Sequence, residues 1–161
     1  MDKITFREAT FEDSKITFDL SNDKEVRNNS INKNQINWEE HLKWLKNKLE
    51  DRGYKIYLFY MEKVFVGQVK FEINAQEAVI SISISEEFRG QGLAQNILEK
   101  SIQNLISQFN NIKTITAYIK QNNIASTKSF SKIGFIFEKE EEIKNEKFKK
   151  YKFNTERLNA N

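Results

Sequence analysis

Apolar residues in this chain recur with two spacings, one typical of helices and one typical of strands. Four of them, at intervals of four, three and four residues, fall on one helical face: Trp38, Leu42, Leu45 and Leu49. Asn37 precedes this run and is a favourable N-cap, and Asp51-Arg52-Gly53 predicts its end. The spacing therefore predicts an amphipathic helix between Asn37 and Asp51.

The same two periodicities predict the other elements. Strands are expected at 4–7, 54–60, 64–73, 78–85, 112–120, 135–143 and 148–153. Further helices are expected at 11–21 (capped by Thr10), 93–109 and 124–132. The turns at 61–63 and 74–77 are short and predict antiparallel pairing. In the last two strands an acidic arm faces a lysine arm, which suits cross-strand pairing in a solvated hairpin. Together these elements predict an α+β domain with a mixed sheet.

Length and composition limit the kinds of site that the chain can hold. Its 161 residues predict a single domain, 1–161. There is no cysteine, which excludes disulfides, thiolate zinc sites and cysteine nucleophiles. His41 is the single histidine, so a multi-histidine metal site is excluded and no metal is expected.

Charge and hydropathy limit the partners. The net charge is +3, and lysine supplies 21 of the 26 basic residues. Acidic and basic residues are interspersed rather than gathered in a basic stripe, so a nucleic-acid partner is not indicated. No apolar run approaches the roughly 18 residues that a membrane-spanning helix needs, and residues 1–10 lack the apolar centre of a signal peptide. We therefore expect no membrane partner and a cytoplasmic location.

The chemistry-bearing pattern lies in residues 80–94. Isoleucine and serine alternate from Ile80 to Ser85, which predicts a strand with one apolar and one polar face. Residues 86–92 (Glu-Glu-Phe-Arg-Gly-Gln-Gly) then lead into the helix that begins at Leu93. Glycines at such a junction let backbone N–H groups converge on a phosphate, and the helix N-terminus adds partial positive charge. An ordinary glycine-containing turn would have the same sequence, and neither a P-loop nor a dinucleotide fingerprint is present.

Two motifs resemble those of the GNAT superfamily, the acetyl-CoA-dependent N-acetyltransferases. Arg89-x-x-Gly92-x-Ala94 is similar to that family's arginine/glutamine-x-x-glycine-x-glycine/alanine signature, and it stands after the fourth strand, at the start of the long helix. Downstream, Asn123-x-x-Ser126 and the segment 130–135 resemble its second motif. The order of the elements also fits, so the resemblance covers nearly the whole chain.

The resemblance implies a fold and a co-substrate. The fold would be a mixed, mostly antiparallel sheet of about seven strands with four helices, in which the parallel fourth and fifth strands splay apart. Acetyl-CoA would lie in that gap, with its pantetheine arm bonded like an added strand and its pyrophosphate held by backbone amides; a Cβ at Gly90 or Gly92 would keep the phosphates away. Lys128 or Lys132 would reach the nucleotide phosphates. The residues implied for this site are Ile82, Ser83, Ile84, Ser85, Arg89, Gly90, Gln91, Gly92, Leu93, Ala94, Asn123, Ser126, Phe130 and Lys132.

One position departs from the family's pattern. The family often has a tyrosine where Phe130 stands, and that tyrosine protonates the departing CoA thiolate. Phenylalanine has no proton to give. Water, Ser129 or Ser131 would supply it, or the thiolate would leave unprotonated, which a thiol pKa of about 8.5 tolerates near neutral pH.

The attacking amine must be neutral, so the reaction needs a base or a water chain. His41 and Tyr118 are the catalytic candidates. His41 lies about 60° from the apolar stripe of its helix, in the part of the chain that walls the acceptor groove in GNAT proteins, although a histidine beside an aromatic is also commonly structural. Tyr118 lies near the end of the fifth strand, where core packing is the alternative. Glu72 and Glu86 are weaker candidates.

The acceptor is predicted from two further segments. Asp23-x-x-Val26-Arg27-x-x-Ser30 and Trp38-x-x-His41-x-x-Trp44 resemble the GNAT branch that acetylates the 4-amino group of nucleotide-linked amino-sugars. Arg27 would pair with the diphosphate of a UDP-amino-sugar, and Trp44 or Trp38 would stack on the sugar or uracil. The alternative for Arg27 is a surface ion pair with Asp23. The other acceptors considered are protein N-termini, as in enzymes that acetylate ribosomal proteins, and small amines.

A different class of function stays open because of Phe130. If the missing proton donor at Phe130 prevents catalysis, the chain would bind CoA without turnover, as a regulatory module. Steady thiol release with a defined amine separates an enzyme from such a module. A homodimer is the oligomeric form considered.

Overall fold

All seven predicted strands join in one sheet in the computed structural model, which describes residues 3–158. The strands are β1 (Ile4–Glu8), β2 (Tyr54–Met61), β3 (Val64–Asn74), β4 (Glu77–Ile84), β5 (Thr114–Lys120), β6 (Ile136–Ile143) and β7 (Glu146–Asn154). Their order is β1-β2-β3-β4-β5-β7-β6, and every neighbouring pair is antiparallel except β4 and β5. The α+β class and the mostly antiparallel sheet are confirmed. Residues 1–2 and 159–161 of the predicted domain lie outside the described residues.

The described residues form five α-helices, one more than predicted. They are α1 (Ser14–Ser21), α2 (Lys24–Asn29), α3 (Trp38–Glu50), α4 (Leu93–Gln108) and α5 (Ile124–Lys132). The predicted 11–21 helix begins as a 3₁₀ turn, Phe11–Asp13, before α1. Helix α2 has six residues and too few apolar positions to show a period; it forms because the Asp23 carboxylate accepts from the backbone N–H groups of Glu25 and Val26.

Helix α3 has the predicted position but a different buried face. Asn37 caps it as expected, since its side chain accepts from the backbone N–H of Glu39. His41 and Leu45 are its buried residues, whereas Trp38 and Leu49, both in the predicted stripe, are exposed. The helix is therefore rotated about its axis relative to the prediction, so that His41 points into the protein interior.

The two faces of the sheet pack against different helices. Ile97 and Leu98 of α4 are fully buried in the larger core, which contains Ile80 of β4. On the other face, Leu45 of α3 packs with Leu58 of β2. Because side chains alternate along a strand, residues of β3 and β4 that are neighbours in sequence belong to different faces.

The parallel pair β4 and β5 is joined only at its beginning. Pairing runs from Glu77 with Thr114 to Val79 with Thr116 and then stops, although β4 remains paired with β3 as far as Ile84. From Ile80 onward the two strands diverge. The predicted splayed pair is therefore present.

The last two strands form the predicted charged hairpin. Glu140 stands opposite Lys149, and Glu142 opposite Lys147. A third acid, Glu138, is within 3.5 Å of the Lys150 ammonium. Such exposed pairs add little stability, so they favour the antiparallel register rather than anchor the fold.

Two kinds of feature are absent from residues 3–158. No helix there is long and apolar enough to cross a membrane. Nor do three or more His, Cys, Asp or Glu side chains come together as ligands for a metal ion.

Candidate functional site

A cavity of about 950 Å³ occupies the gap between the diverging strands. Its lining includes Ile80–Ile84 of β4, the glycine turn 90–94, Ala117–Lys120 of β5 and the N-terminal half of α5. A third side is formed by α2 and the loop after it, with Ser30, Ile31 and Asn32. The cavity thus runs from the glycine turn to the helices on the opposite face of the sheet.

The glycine turn leaves backbone amides free and space in front of them. Gly90 and Gly92 have φ angles of 74° and 75°, a conformation that favours glycine, and a Cβ added at either would meet no atom within 4 Å. Gly92 is the N-cap of α4, and no side chain caps this helix. The first-turn N–H groups of a 16-residue helix therefore lack a protein partner. This arrangement fits a phosphate group.

The edge of β4 offers further backbone groups, with one exception. Residues Ile82, Ser83 and Ile84 are half-buried, line the cavity and have no ladder partner on the β5 side. The Ile84 carbonyl, however, already accepts a hydrogen bond of 2.9 Å from Arg89 Nε. Ser85 is not a lining residue, and its buried hydroxyl has no hydrogen-bond partner among the described residues. The predicted strand-like contact to a bound chain thus depends on Ile82 and Ser83.

Arg89 forms contacts that the sequence motif did not predict. Its guanidinium pairs with the Asp23 carboxylate at 2.6 Å and with the Glu25 carboxylate at 2.9 Å. Although burial opposes it, the hydrogen bond from Arg89 and those from the Val26 and Glu25 amides lower the pKa of Asp23 below its usual value. Arg89 lines the cavity, but the geometry ties it to α2. These contacts make Arg89 a link between the glycine turn and the third side of the cavity. Its role at the cofactor stays a prediction.

Helix α5 brings most of its predicted residues to the cavity. The side chain of Asn123 caps the helix by accepting from Ser126 N–H at 3.3 Å, and both residues line the cavity. Phe130 lies at its wall, buried and edge-on to Phe135 at 4.9 Å between ring centroids. Lys132 is exposed and does not line the cavity, so its predicted contact with the nucleotide is not supported. Lys128, one turn earlier, lines it.

Tyr118 reaches the gap. It is half-buried on β5, beyond the last residue that pairs with β4, and it lines the cavity. Lys150 Nζ lies 6.0 Å from the centroid of its ring. Its hydroxyl makes no hydrogen bond within residues 3–158. The geometry therefore leaves the Tyr118 O–H group available to a ligand.

His41 does not reach the cavity. Its side chain is 2% exposed, with Nε2 at 2.9 Å from Thr17 Oγ1 and the ring between Trp38 and Trp44. Burial, with a smaller effect of the Lys70 charge, lowers the pKa of His41 below 6.5 despite a hydrogen bond with the Ser14 backbone. The ring is therefore neutral at pH 7 and packed between elements. This placement does not support the predicted role of His41 as the base.

The two predicted acceptor-binding residues have different surroundings. Arg27 lines the cavity, but most of its donors are used by the chain itself: Nε donates to the Ser21 carbonyl at 2.6 Å and Nη1 to the Asn32 carbonyl at 2.7 Å. It fastens the loop after α2 and makes no ion pair with Asp23. Trp44 is half-buried against Tyr54 and does not line the cavity, so stacking on the acceptor is not supported.

Lys70 is a charged lining residue that the sequence analysis did not single out. It stands on β3 opposite Ser81, and its ammonium lies 5.3 Å from the centroid of the Trp44 ring. Burial, and then the charges of Arg27 and Lys48, lower its pKa to about 8. The signal was present: Gln68 and Lys70 alternate with apolar residues in a central strand, which places two polar side chains on a face that helices cover.

Comparison with known proteins identifies the domain. Residues 3–136 match the family model described as acetyltransferase (GNAT) domain. No curated protein matches the chain.

Solved structures share the fold at low sequence identity. A spermidine N-acetyltransferase from Vibrio cholerae, in complex with CoA and spermine, has a TM-score of 0.87 and 18% identity, over 95% of this chain and 96% of that chain. An uncharacterized protein from Bacillus halodurans has a TM-score of 0.82 and 21% identity, over 96% and 86%. A dodecameric structure of the Vibrio cholerae spermidine N-acetyltransferase has a TM-score of 0.81 and 18% identity, over 98% and 96%.

Proposed function

Because the chain belongs to the GNAT acetyltransferase family, it is an acetyl-CoA-dependent N-acetyltransferase, and we propose that its acceptor is the primary amine of a small molecule. One observation carries this proposal: a single cavity joins the glycine turn to the space enclosed by α2, its following loop and Lys70. A co-substrate held at the turn would place its reactive end in that enclosed space.

The geometry supports a set of residues that would hold acetyl-CoA. The backbone amides of residues 91–94 would bind the pyrophosphate, because they lack partners and Gly90 and Gly92 leave room in front of them. Ile82 and Ser83 would bond the pantetheine arm through their free backbone edge, with Asn123 and Ser126 on the opposite wall. Lys128 would face the nucleotide phosphates. Acetyl-CoA supplies the acetyl group as a thioester.

Tyr118 is the residue best placed for proton transfer. Among the lining residues its side chain is the one ionisable hydroxyl, and Phe130 has none. As the acceptor nitrogen bonds to the acetyl carbon and the carbon–sulfur bond breaks, the Tyr118 O–H would donate its proton to the departing sulfur. The proton lost by the amine then restores the tyrosine, directly or through water, so charge and atoms balance.

The identity of the acceptor remains a proposal. The similarity to spermidine N-acetyltransferases supports a small amine more than a nucleotide-linked 4-amino-sugar, which stays a prediction. At 18–21% identity these structures share the fold alone, and the polyamine is a property of the spermidine N-acetyltransferases. A homodimer also stays a prediction.

Transfer to a panel of amines tests the proposed function. Purified protein is incubated with acetyl-CoA and, separately, UDP-linked amino-sugars, polyamines, aminoglycosides and peptides with free N-termini, while thiol release and product mass are followed. We expect continuous thiol release with at least one small amine, together with a product heavier by one acetyl group. Tight CoA binding without release for any amine would contradict the proposal and favour a non-catalytic CoA-binding module.

A further inference from the structure

The acceptor end of the cavity lies on the sheet face that the first three helices cover. Lys70 and Ser81 stand opposite each other on β3 and β4, and they share the face that does not contact α4. Gln68, two residues before Lys70 and therefore on the same face, donates to Ser21 Oγ of α1 at 3.5 Å. Polar side chains thus line this end of the cavity, and the glycine turn lies at the other.

Lys70 has no anionic partner within the described residues. Within residues 3–158 its ammonium makes no ion pair and no hydrogen bond; its neighbour is the face of the Trp44 ring. The charged groups that act on it most strongly, Arg27 and Lys48, are both positive. A half-buried ammonium in such surroundings favours a bound anion.

Arg27 adds a second uncompensated charge. Its guanidinium donates to the carbonyls of Ser21, Asn32 and Asn34 and to the Ser30 hydroxyl, none of which carries charge. These bonds hold the guanidinium in place without neutralising it. The Arg27 guanidinium therefore gives this end of the cavity a positive potential at a fixed position.

The acids nearest the cavity walls are already paired, and Glu72, which follows Lys70 by two residues on β3 and makes no ion pair among the described residues, does not line the cavity. Asp23 and Glu25 both bind Arg89. Glu146 pairs with Lys33 and with Lys120, whose ammonium also donates to the Asn28 carbonyl. One acid lines the cavity, Glu25, against five bases: Arg27, Lys70, Arg89, Lys120 and Lys128. A polycationic acceptor would find no unpaired carboxylate among the lining residues.

We propose that the acceptor carries an anionic group, a phosphate or a carboxylate, beside its primary amine, and that Lys70 binds this group. The inference rests on the proposed function and names its substrate class. Opposite charges a few ångströms apart in a partly desolvated cavity attract strongly, whereas a polyamine would be repelled. Lys70 would thus determine which acceptors bind. Arg27 would hold the loop after α2 in position and add to the positive potential.

Matched pairs of amines test the proposal by turnover. Thiol release is measured with glucosamine 6-phosphate against glucosamine, alanine against alanine amide, and spermidine. We expect at least one anionic member to exceed its neutral partner at least tenfold in kcat/KM. Lys70→Met should reduce that ratio to threefold or less, raise KM more than it lowers kcat, and leave the Kd of CoA within twofold. The pair that responds separates phosphate from carboxylate recognition.

The same substitution at the other end of the cavity is the control. Lys128→Met should weaken CoA binding and leave the ratio of anionic to neutral acceptors unchanged. A preference for spermidine or for the neutral partners, or a preference for anions that survives in Lys70→Met, would overturn the proposal.

A binding measurement gives an answer even where none of these amines is acetylated. Because Lys70 lies over the Trp44 ring, an anion that draws the ammonium away changes tryptophan emission. With CoA at saturation, so that the amides of the glycine turn are occupied, glucosamine 6-phosphate should change the emission at tenfold lower concentration than glucosamine. The change should vanish in Lys70→Met. Equal responses to both sugars would overturn the proposal, whereas failure of CoA itself to bind would instead contradict the proposed function.

Discussion

The Arg89 guanidinium donates to the Asp23 carboxylate at 2.6 Å, although 66 residues separate them along the chain. The same carboxylate caps α2, so one ion pair joins the glycine turn to the helix that walls the acceptor side. Both side chains are about one-quarter exposed. The cofactor and acceptor ends of the cavity are therefore mechanically connected.

Loss of Arg89 should affect folding and acceptor binding more than CoA binding. Arg89→Met leaves Asp23 partly buried and unpaired, which should cost about 1–2 kcal/mol of unfolding free energy. KM for the acceptor should rise while the Kd of CoA changes less than threefold. Urea denaturation and calorimetry measure both. The control is Glu25→Gln, which removes the more exposed partner of Arg89 and should cost less than about 0.5 kcal/mol of unfolding free energy. If Arg89→Met lost more free energy of CoA binding than free energy of unfolding, Arg89 would be shown to bind phosphate.

His41 should contribute stability rather than proton transfer. Replacing it with Gln, which retains a hydrogen-bonding group near Thr17, should lower the melting temperature and leave kcat/KM per folded molecule within threefold. A fall of a hundredfold or more at an unchanged folded fraction, measured by circular dichroism, would restore His41 as the base.

The pH dependence of stability gives an independent test of His41. Its pKa is lower in the folded protein than the usual 6.5, so the unfolded chain binds the proton more readily. The stabilisation is complete above pH 6.5 and is lost as the pH falls toward the folded value. The wild-type melting temperature should decline between pH 6.5 and 5, and His41→Gln, which leaves no histidine, should decline less. If the melting temperatures of wild type and His41→Gln fell in parallel as the pH was lowered, His41 would not be the group responsible.

Lys70 should be a residue that costs stability. Its pKa is about 8 when folded and near 10.5 when unfolded, so the penalty of burying the ammonium is complete below pH 8 and disappears as the pH rises to 10.5. After allowance for its partial exposure, Lys70→Met should stabilise the protein by about 1–2 kcal/mol at pH 7. The gain should shrink from pH 8 to pH 10, whereas the exposed Lys128→Met should stay within about 0.5 kcal/mol of wild type throughout. A Lys70→Met protein less stable than wild type at pH 7 would show that the ammonium has a stabilising partner.

Tyr118 should matter for the chemical step. Tyr118→Phe keeps the ring in the wall and removes the proton, so kcat should fall about 10²–10⁴-fold with CoA affinity unchanged. Tyr151→Phe is a matched control, because that tyrosine is buried in the core and does not line the cavity. Equal, small effects of the two substitutions would assign the proton to water or to Ser129.

Most of the sheet was predictable because local alternation and short turns determine β2, β3 and β4 and their antiparallel pairing. The glycine turn was also predictable from local sequence, since Gly90 and Gly92 stand between a predicted strand and a predicted helix. Helix α2 was not, because its stability comes from the Asp23 cap rather than from a period. The buried face of α3 was also missed, since the Thr17–His41 contact links residues from two helices.

The acceptor side was the least predictable part. The charge partners of Arg89 and the isolation of Lys70 depend on which segments meet in space. Trp44 and His41 carry the residue types of a ligand-binding helix, yet both lie outside the cavity because α3 packs its aromatic face against α1 and β2. Residue type and spacing located the cofactor motif, whereas the acceptor residues required the tertiary structure.

The most direct test of the account is a calorimetric titration of CoA into wild type, Gly92→Ala and Gly134→Ala. Gly92→Ala places a methyl group in the open space before the α4 amides, and its positive φ adds strain of about 1–2 kcal/mol to the fold. Gly134→Ala imposes strain at another positive φ, away from the cavity, and so controls for stability. We predict that Gly92→Ala weakens CoA binding at least tenfold, about 1.4 kcal/mol, while Gly134→Ala binds within twofold of wild type. Equal affinity of folded Gly92→Ala and wild type would contradict the placement of CoA at the glycine turn.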